Sequence, residues 1–124
     1  MGIKTFFFDT YALFEIIEGN NNYKPYLKDV VIVTTKLNLM ELHYGLFLKY
    51  GKEVANKYYN KFVVFAIDID DEVIKIANEF KAELRKRKLS YIDCIGYTIA
   101  RINNIKFLTG DQQFFDLDNV EYVK

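Results

Sequence analysis

Along this chain, apolar runs short enough to be strands alternate with runs of helical periodicity, and no other feature constrains its fold more. Ile3 to Phe8 reads as a buried strand, and Tyr11 to Glu18 as a short helix with Ala12, Leu13, Ile16 and Ile17 on one face. Val30 to Val33 is a β-branched run and so a second strand. Lys36 to Tyr50 is helical and stops at Gly51, and Lys52 to Lys61 makes another helix. Phe62 to Ile67 reads as a third strand. Asp71 to Lys88 is the clearest helix, with Val73, Ile76, Ala77, Phe80 and Leu84 at helical spacing and Asp70 as its cap. Tyr91 to Asn103 is a further helix, Lys106 to Leu108 a strand, Gln112 to Phe115 a helical turn, and Val120 to Val123 the last strand. The only proline, Pro25, lies with Gly19 and three asparagines in a stretch that reads as a loop with a short turn of helix after it. This order predicts an α/β fold, a three-layer α/β/α sandwich with a mainly parallel central sheet of four to five strands, and residues 1–124 as a single domain. In open sheets of this class, ligands bind beyond the carboxyl ends of the strands.

The inventory of reactive side chains excludes several chemistries. His43, Ser90 and Cys94 are each the sole residue of their type. No nucleophile-elbow glycines surround Ser90, so a Ser-His-Asp site has no support. Zinc held by Cys and His lacks ligands, and neither GxGxxG nor GxxxxGK[ST] occurs. A lone cysteine forms no internal disulfide, and no signal-peptide pattern or membrane-length apolar run is present, so a cytoplasmic protein with no membrane association is the expectation. Basic and acidic residues balance at 17 each, which neither demands nor excludes a polyanionic partner. What remains plentiful is carboxylate.

Asp9 follows the strand ending Phe6-Phe7-Phe8, and Asp111 follows Lys106-Phe107-Leu108 after Thr109 and Gly110. Either reads as an ordinary cap or turn residue. Yet parallel strands bring their carboxyl ends to one edge of a sheet, where two such acids meet if their strands are near neighbours. Glu41 lies between Leu37 and Tyr44 on an apolar stripe that continues to Leu48. A carboxylate there is costly unless it is paired, binds a cation, or reaches water at the stripe's edge; it can also close a capping box with Asn38. Asp93 completes Ser90-Tyr91-Ile92-Asp93, a capping box with Asp in place of Glu, and suits the helix dipole. It also shares a face with Gly96 and Ala100, small residues that admit a neighbouring element or leave room for a ligand. Two acids at strand ends and one near the start of each of two helices form a set that suits a hard cation such as Mg²⁺. One or two such ions polarise a phosphodiester and activate water, and four clustered acids without a cation repel one another.

With these residues in view, the chain resembles the PIN domain family and, within it, the VapC-type toxin ribonucleases. The resemblance is carried by Phe6-Phe7-Phe8-Asp9-Thr10, Met40-Glu41-Leu42, Ile92-Asp93-Cys94-Ile95-Gly96-Tyr97-Thr98-Ile99-Ala100 and Leu108-Thr109-Gly110-Asp111, and it spans nearly the whole chain. It implies an endoribonuclease dependent on Mg²⁺ or Mn²⁺, with Asp9, Glu41, Asp93 and Asp111 as catalytic metal ligands and Thr10 and Thr109 as supporting hydroxyls. It also implies a homodimer and a cognate antitoxin protein that inserts a segment into the active site. Tyr11 is bulkier than the residue often found at its position in that family. Asp116 is an additional acid that can assist a second metal.

The basic run around Lys81, Arg85, Lys86, Arg87 and Lys88 ends just before the Asp93 helix. It can hold RNA phosphates near the acids or be a solvated helix end complementing the dipole. Arg101, two turns beyond Asp93, is a second candidate for RNA binding. The expected activity is cleavage of RNA by a metal-activated water, in the toxin of a toxin–antitoxin pair. The alternatives are an RNA-processing nuclease outside such a pair and a non-catalytic PIN-fold protein-binding module. A phosphoryl-accepting aspartate phosphatase is excluded, because Asp9-Thr10-Tyr11 lacks the second Asp two positions on.

Overall fold

The computed structural model describes residues 2–124. Strands β1 (Lys4–Phe8), β2 (Val30–Val33), β3 (Lys106–Thr109) and β4 (Val120–Tyr122) form one sheet in the order β2-β1-β3-β4. Every pairing is parallel, with Phe7 registered against Val33 on one side and Phe107 on the other. The helices are α1 (Thr10–Ile17), α2 (Lys36–Tyr50), α3 (Lys52–Phe62), α4 (Asp71–Glu83) and α5 (Tyr91–Ile102).

Successive strand residues face opposite sides of a sheet. Phe6 and Phe8 therefore pack with Leu13, Leu39, Leu42, Leu46 and Ala55 of α1 to α3, while Phe7 packs with Val73, Ala77, Tyr97 and Ile99 of α4 and α5. A strand apolar at consecutive positions is what two covered faces require, and the three layers are those the element order predicts. The small residues of α5 serve close approach rather than a ligand: a Cβ on Gly96 would stand 2.7 Å from the Phe7 ring and 3.1 Å from that of Phe107.

Three local expectations are corrected. The apolar run from Phe62 to Ile67 is not a strand. Phe62 ends α3, Val63–Phe65 is a 3-10 turn, and only a single parallel bridge joins Ala66 to Thr34 beyond the end of β2. The segment is strand-like in composition, but Phe62 is buried from the helix and Val64 lies 74% exposed. The long helix stops at Glu83 rather than Lys88. Leu84 leaves helical geometry, Arg85–Arg87 forms a 3-10 turn, and Lys88 is left-handed with φ 59°. A continued helix would set Lys81 against Arg85 at i,i+4 and Arg85 against Lys88 at i,i+3, like charges that repel, and the turn carries Leu89 into the core. Pro25 falls inside a 3-10 turn, Asn21–Tyr26, rather than before it.

The strand order fixes where chemistry can occur. From β1 the chain moves to β2 on one side and then returns across to β3 on the other. The carboxyl ends of β1 and β3 thus flank a switch point, the usual crevice of open parallel sheets. No described helix is long and apolar enough to cross a membrane.

Candidate active site

Asp9 is the residue at which β1 becomes α1. Its backbone N–H donates to the Leu108 carbonyl of β3 at 3.1 Å, and its carbonyl accepts from the Leu13 N–H at the same distance. It stands in the N-cap position of α1, yet its side chain makes no capping bond. The carboxylate turns toward β3, where the Thr109 hydroxyl donates to Oδ2 at 2.8 Å. Oδ1 is buried with no hydrogen-bond partner, and the whole residue is 3% exposed. Burial above all, then the nearby Asp93 and Glu41 carboxylates, push its pKa up to about 8, against the opposing pull of the Thr109 hydroxyl and the neighbouring Thr10 backbone N–H.

Glu41 lies near the start of α2, half-buried, and accepts a 2.7 Å hydrogen bond on Oε1 from the Thr10 hydroxyl. The stripe that set it apart in the sequence is a surface stripe: Tyr44 is 65% and Leu48 66% exposed, while the buried face of α2 carries Asn38, Leu39, Leu42 and Leu46. Nor does Glu41 close a capping box with Asn38, because the cap of α2 is Thr35 and its partner is Asn38 itself. Burial, with Asp93 adding to it, raises the pKa of Glu41, and the Thr10 hydroxyl counters both.

Asp93 forms the capping box its sequence predicts. Its N–H donates to Ser90 Oγ and its Oδ2 accepts from the Ser90 N–H, each at 3.0 Å. Burial first, then Asp111, raise its pKa, while the Ser90 bonds and the Lys81 cation act the other way. Asp111 accepts from the Gln113 N–H on Oδ1 at 3.0 Å, capping the 3-10 turn Gln112–Phe114. Its own N–H donates to Thr109 Oγ1 at 3.1 Å, so one threonine braces both strand-end acids. Gly110 permits the tight turn between them, since a Cβ there would stand 2.3 Å from the Val123 carbonyl and 2.4 Å from the Tyr11 ring.

These four acids, with Thr10, Tyr11, Phe14, Tyr44 and Gly45, line one cleft of about 430 Å³ at the carboxyl edge of the sheet. Among the described residues, no three acidic, histidine or cysteine side chains stand close enough together to hold one ion. Two of the four, Asp93 and Asp111, each accept a backbone N–H on one oxygen. The donor chemistry nonetheless fits a hard cation: every candidate ligand is oxygen. The unpartnered, buried Asp9 Oδ1 lacks the counter-charge that such a site supplies.

The remaining candidates lie elsewhere. Asp116 does not line the cleft; it pairs with Arg87, with bonds of 2.6 and 3.0 Å, and Arg87 also donates to the Gln113 carbonyl at 2.8 Å. Arg85 donates to the Ala82 carbonyl at 3.0 Å, and Lys88 is exposed on its left-handed turn. Arg101 stacks over the Tyr97 ring at 5.7 Å toward the far end of α5, about 12 Å from Asp93 at the helical rise. Lys81 bonds the Leu89 carbonyl and lies 4.8 Å over the Tyr91 ring, and it acts on Asp93 through its charge without pairing with it. Sequence reading also passed over Thr35 and weighed Asn38 only as a capping partner of Glu41, and both are fully buried. The available signal was a polar Asn38 at helical spacing from Leu42 and Leu46.

A family model described as PIN domain matches residues 6–120. No curated protein sequence matches. Among solved structures, VapC20 of Mycobacterium tuberculosis, described as a sarcin–ricin loop cleaving toxin, superposes with TM-score 0.77 at 18% identity over 96% of this chain and 99% of that one. A chain of VapBC2 from Rickettsia felis, solved with a DNA fragment from the VapBC2 promoter, gives TM-score 0.72 at 21% identity over 97% and 99%. A chain of a toxin–antitoxin complex from Klebsiella pneumoniae gives 0.70 at 18% identity over 92% and 93%. At these identities the likeness is one of fold.

Proposed function

The chain belongs to the PIN domain family, and from that premise we propose that it is a metal-dependent endoribonuclease whose active site is the four-acid cleft. The observation that carries this reading is Asp9, a 3%-exposed carboxylate with a partnerless oxygen among three further acids, in a position where capping makes no use of it. Asp9, Glu41, Asp93 and Asp111 are the residues that would hold Mg²⁺ or Mn²⁺. Bound there, such an ion supplies positive charge against a phosphodiester and increases the acidity of water.

The chain's own residues prepare the site. Thr109 orients Asp9, and the Thr109 oxygen fixes the backbone of Asp111. Thr10 orients Glu41 and Ser90 orients Asp93. Their donated hydrogens favour the ionised carboxylates against the cost of burial. Tyr11 and Phe14 form apolar parts of the wall beside the acids and shield them from bulk water.

RNA as substrate and a cognate antitoxin as partner are proposals supported by what the superposed structures are: a loop-cleaving toxin and two toxin–antitoxin assemblies. Homodimerisation belongs to the same proposal.

The test is incubation of purified protein with a mixed set of RNAs in Mg²⁺, in Mn²⁺ and in chelator, beside Asp9→Asn and Asp93→Asn. The expected outcome is cutting that requires metal and is lost in both variants. Folded variants that cut like the wild type would assign the cutting to a contaminant. If the wild type also fails to bind metal, the fold serves protein binding instead.

A further inference from the structure

Thr35 and Asn38 lie outside the cleft, fully buried, and are used by no step described above. They nonetheless form a continuous hydrogen-bonded relay that ends on Glu41. The Thr35 hydroxyl accepts the Asn38 backbone N–H at 3.2 Å as the cap of α2, and stands 2.6 Å from Asn38 Oδ1. On its other side the Asn38 amide nitrogen is 3.1 Å from Thr10 Oγ1, and Thr10 Oγ1 is 2.7 Å from Glu41 Oε1.

The relay has a direction. The short separation is that of an O–H···O bond and the longer one that of an N–H···O bond. Thr35 has spent an acceptor site on the helix cap and keeps its hydrogen for Oδ1, so the amide oxygen faces Thr35 and the NH₂ faces Thr10. An amide NH₂ only donates. Thr10 therefore accepts from Asn38, and its single hydrogen is left for the carboxylate. The competing acceptor, the Asn38 carbonyl, lies farther off at 3.5 Å. The same chain of bonds ties the start of α1, beside Asp9, to the first turns of α2, and so sets the two acids relative to each other.

We infer that Asn38 is a positioning residue for the cation site: its amide, locked by the α2 cap, compels the Thr10 hydroxyl to donate to Glu41. This rests on the metal-site reading above and names what holds one of its ligands ready. Partners that orient a metal ligand from behind typically contribute about 10- to 100-fold in metal affinity. Asn38 does not line the cleft, and its side chain reaches the residues that do through its hydrogen bond to Thr10, so its effect passes through Thr10.

The experiment is Mn²⁺ binding by calorimetry on the full chain, with no RNA present, for wild type, Glu41→Gln, Asn38→Leu, Thr10→Val and the double variant Asn38→Leu/Thr10→Val. Asn38→Leu is expected to weaken Mn²⁺ binding about 10-fold in folded protein. Thr10→Val should cost at least as much, and the double variant no more than Thr10→Val alone. A merely structural Asn38 would lower the melting temperature while the folded protein kept wild-type affinity, which overturns the inference, as does a double variant in which the two losses multiply. Thr10→Ser, which keeps the hydroxyl, should bind like wild type.

If Asn38→Leu does not fold, the side-chain ¹⁵N resonance of Asn38 gives the answer under Mg²⁺ titration. It should move in wild type and stay still in Thr10→Val; movement in both overturns the inference. If wild type binds no Mn²⁺, or Glu41→Gln binds it equally well, the metal-site reading fails and the relay with it. If Glu41→Gln loses binding and Asn38→Leu does not, the relay alone fails.

Discussion

Asp9 and Asp93 start from the same sequence grammar and end in opposite states. Each is an acid at the beginning of a helix, and each invites the same reading as a cap. At Asp93 the reading is complete: a reciprocal capping box with Ser90 occupies one oxygen and the backbone N–H. At Asp9 the cap position is occupied but the capping bond is not made, and one oxygen is sealed from water without a partner. Buried polar atoms in folded proteins are nearly always satisfied. The difference teaches that an acid with an evident local role is poor evidence for a site, whereas a buried acid whose local role is left unfilled points to a ligand.

The largest effect expected from this contrast concerns stability and pH. In metal-free protein, unfolded Asp9 gives up its proton near pH 4 and folded Asp9 near pH 8. Between those values the native state holds more protons than the unfolded state, so this group's contribution to stability falls as pH rises through the window. Below pH 4 both states are protonated and the contribution is constant. Asp9→Asn removes the slope. At pH 8 in chelator the variant should be more stable than wild type by on the order of a few kcal/mol, and less active. Chelator-treated melts from pH 4 to 8 check this; equal slopes in the two proteins would erase the contrast between the two acids.

Next in size is the response to metal. At pH 8, Mn²⁺ at about 100 times its dissociation constant should stabilise the wild type by about 2.7 kcal/mol, since it binds the native state alone. The same titration should leave the melting temperature of Asp9→Asn nearly unmoved. Equal stabilisation of both proteins would place the ion away from Asp9.

A smaller effect separates the two roles of Asp93. Asp93→Ala and Asp93→Asn both remove the charge that burial disfavours, but only Asp93→Asn keeps an acceptor for the Ser90 N–H. In chelator Asp93→Ala should therefore be less stable than Asp93→Asn by about 1 kcal/mol. Both should bind Mn²⁺ weakly. If Asp93→Asn kept wild-type Mn²⁺ affinity, Asp93 would be a cap and nothing more.

The contrast also marks how far the sequence was legible. The four strands and five helices of the described residues were readable because short apolar runs alternate with longer helical ones at clear boundaries, and α2 runs from Lys36 to Tyr50 and stops at Gly51. Its inward face was not readable. With Leu37, Leu39, Met40, Leu42, Tyr44, Leu46 and Leu48 distributed around the helix, periodicity selects no single stripe, and the exposed one was taken for the buried one. Phe62 to Phe65 misled because β-branched and aromatic residues suit a buried helix end as well as a strand. The meeting of Asp9 and Asp111 followed from parallel topology, whereas Glu41 and Asp93 joined them only through their places near helix starts and the family resemblance. The backbone bonds of Asp111 and the relay through Asn38 were not readable, because hydrogen-bond direction is set by tertiary neighbours that spacing cannot name.

The smallest expected effect bears on Asp116, an acid whose partner is plain. Arg87 holds its carboxylate below the usual range through two short bonds, on an exposed face away from the cleft. Surface ion pairs contribute little because water screens them. An acid that is ion-paired, solvated and outside the cleft is expected to be no ligand. Asp116→Asn should therefore leave Mn²⁺ affinity and stoichiometry at wild-type values, and Arg87→Ala should shift the melting temperature less than Asp93→Ala does. Calorimetry on Asp116→Asn decides the matter. A loss of affinity equal to that of Asp93→Asn would mean that the Arg87 pair opens to deliver Asp116 to the metal, and that the state of an acid's hydrogen bonds in the free protein does not tell a ligand from a bystander.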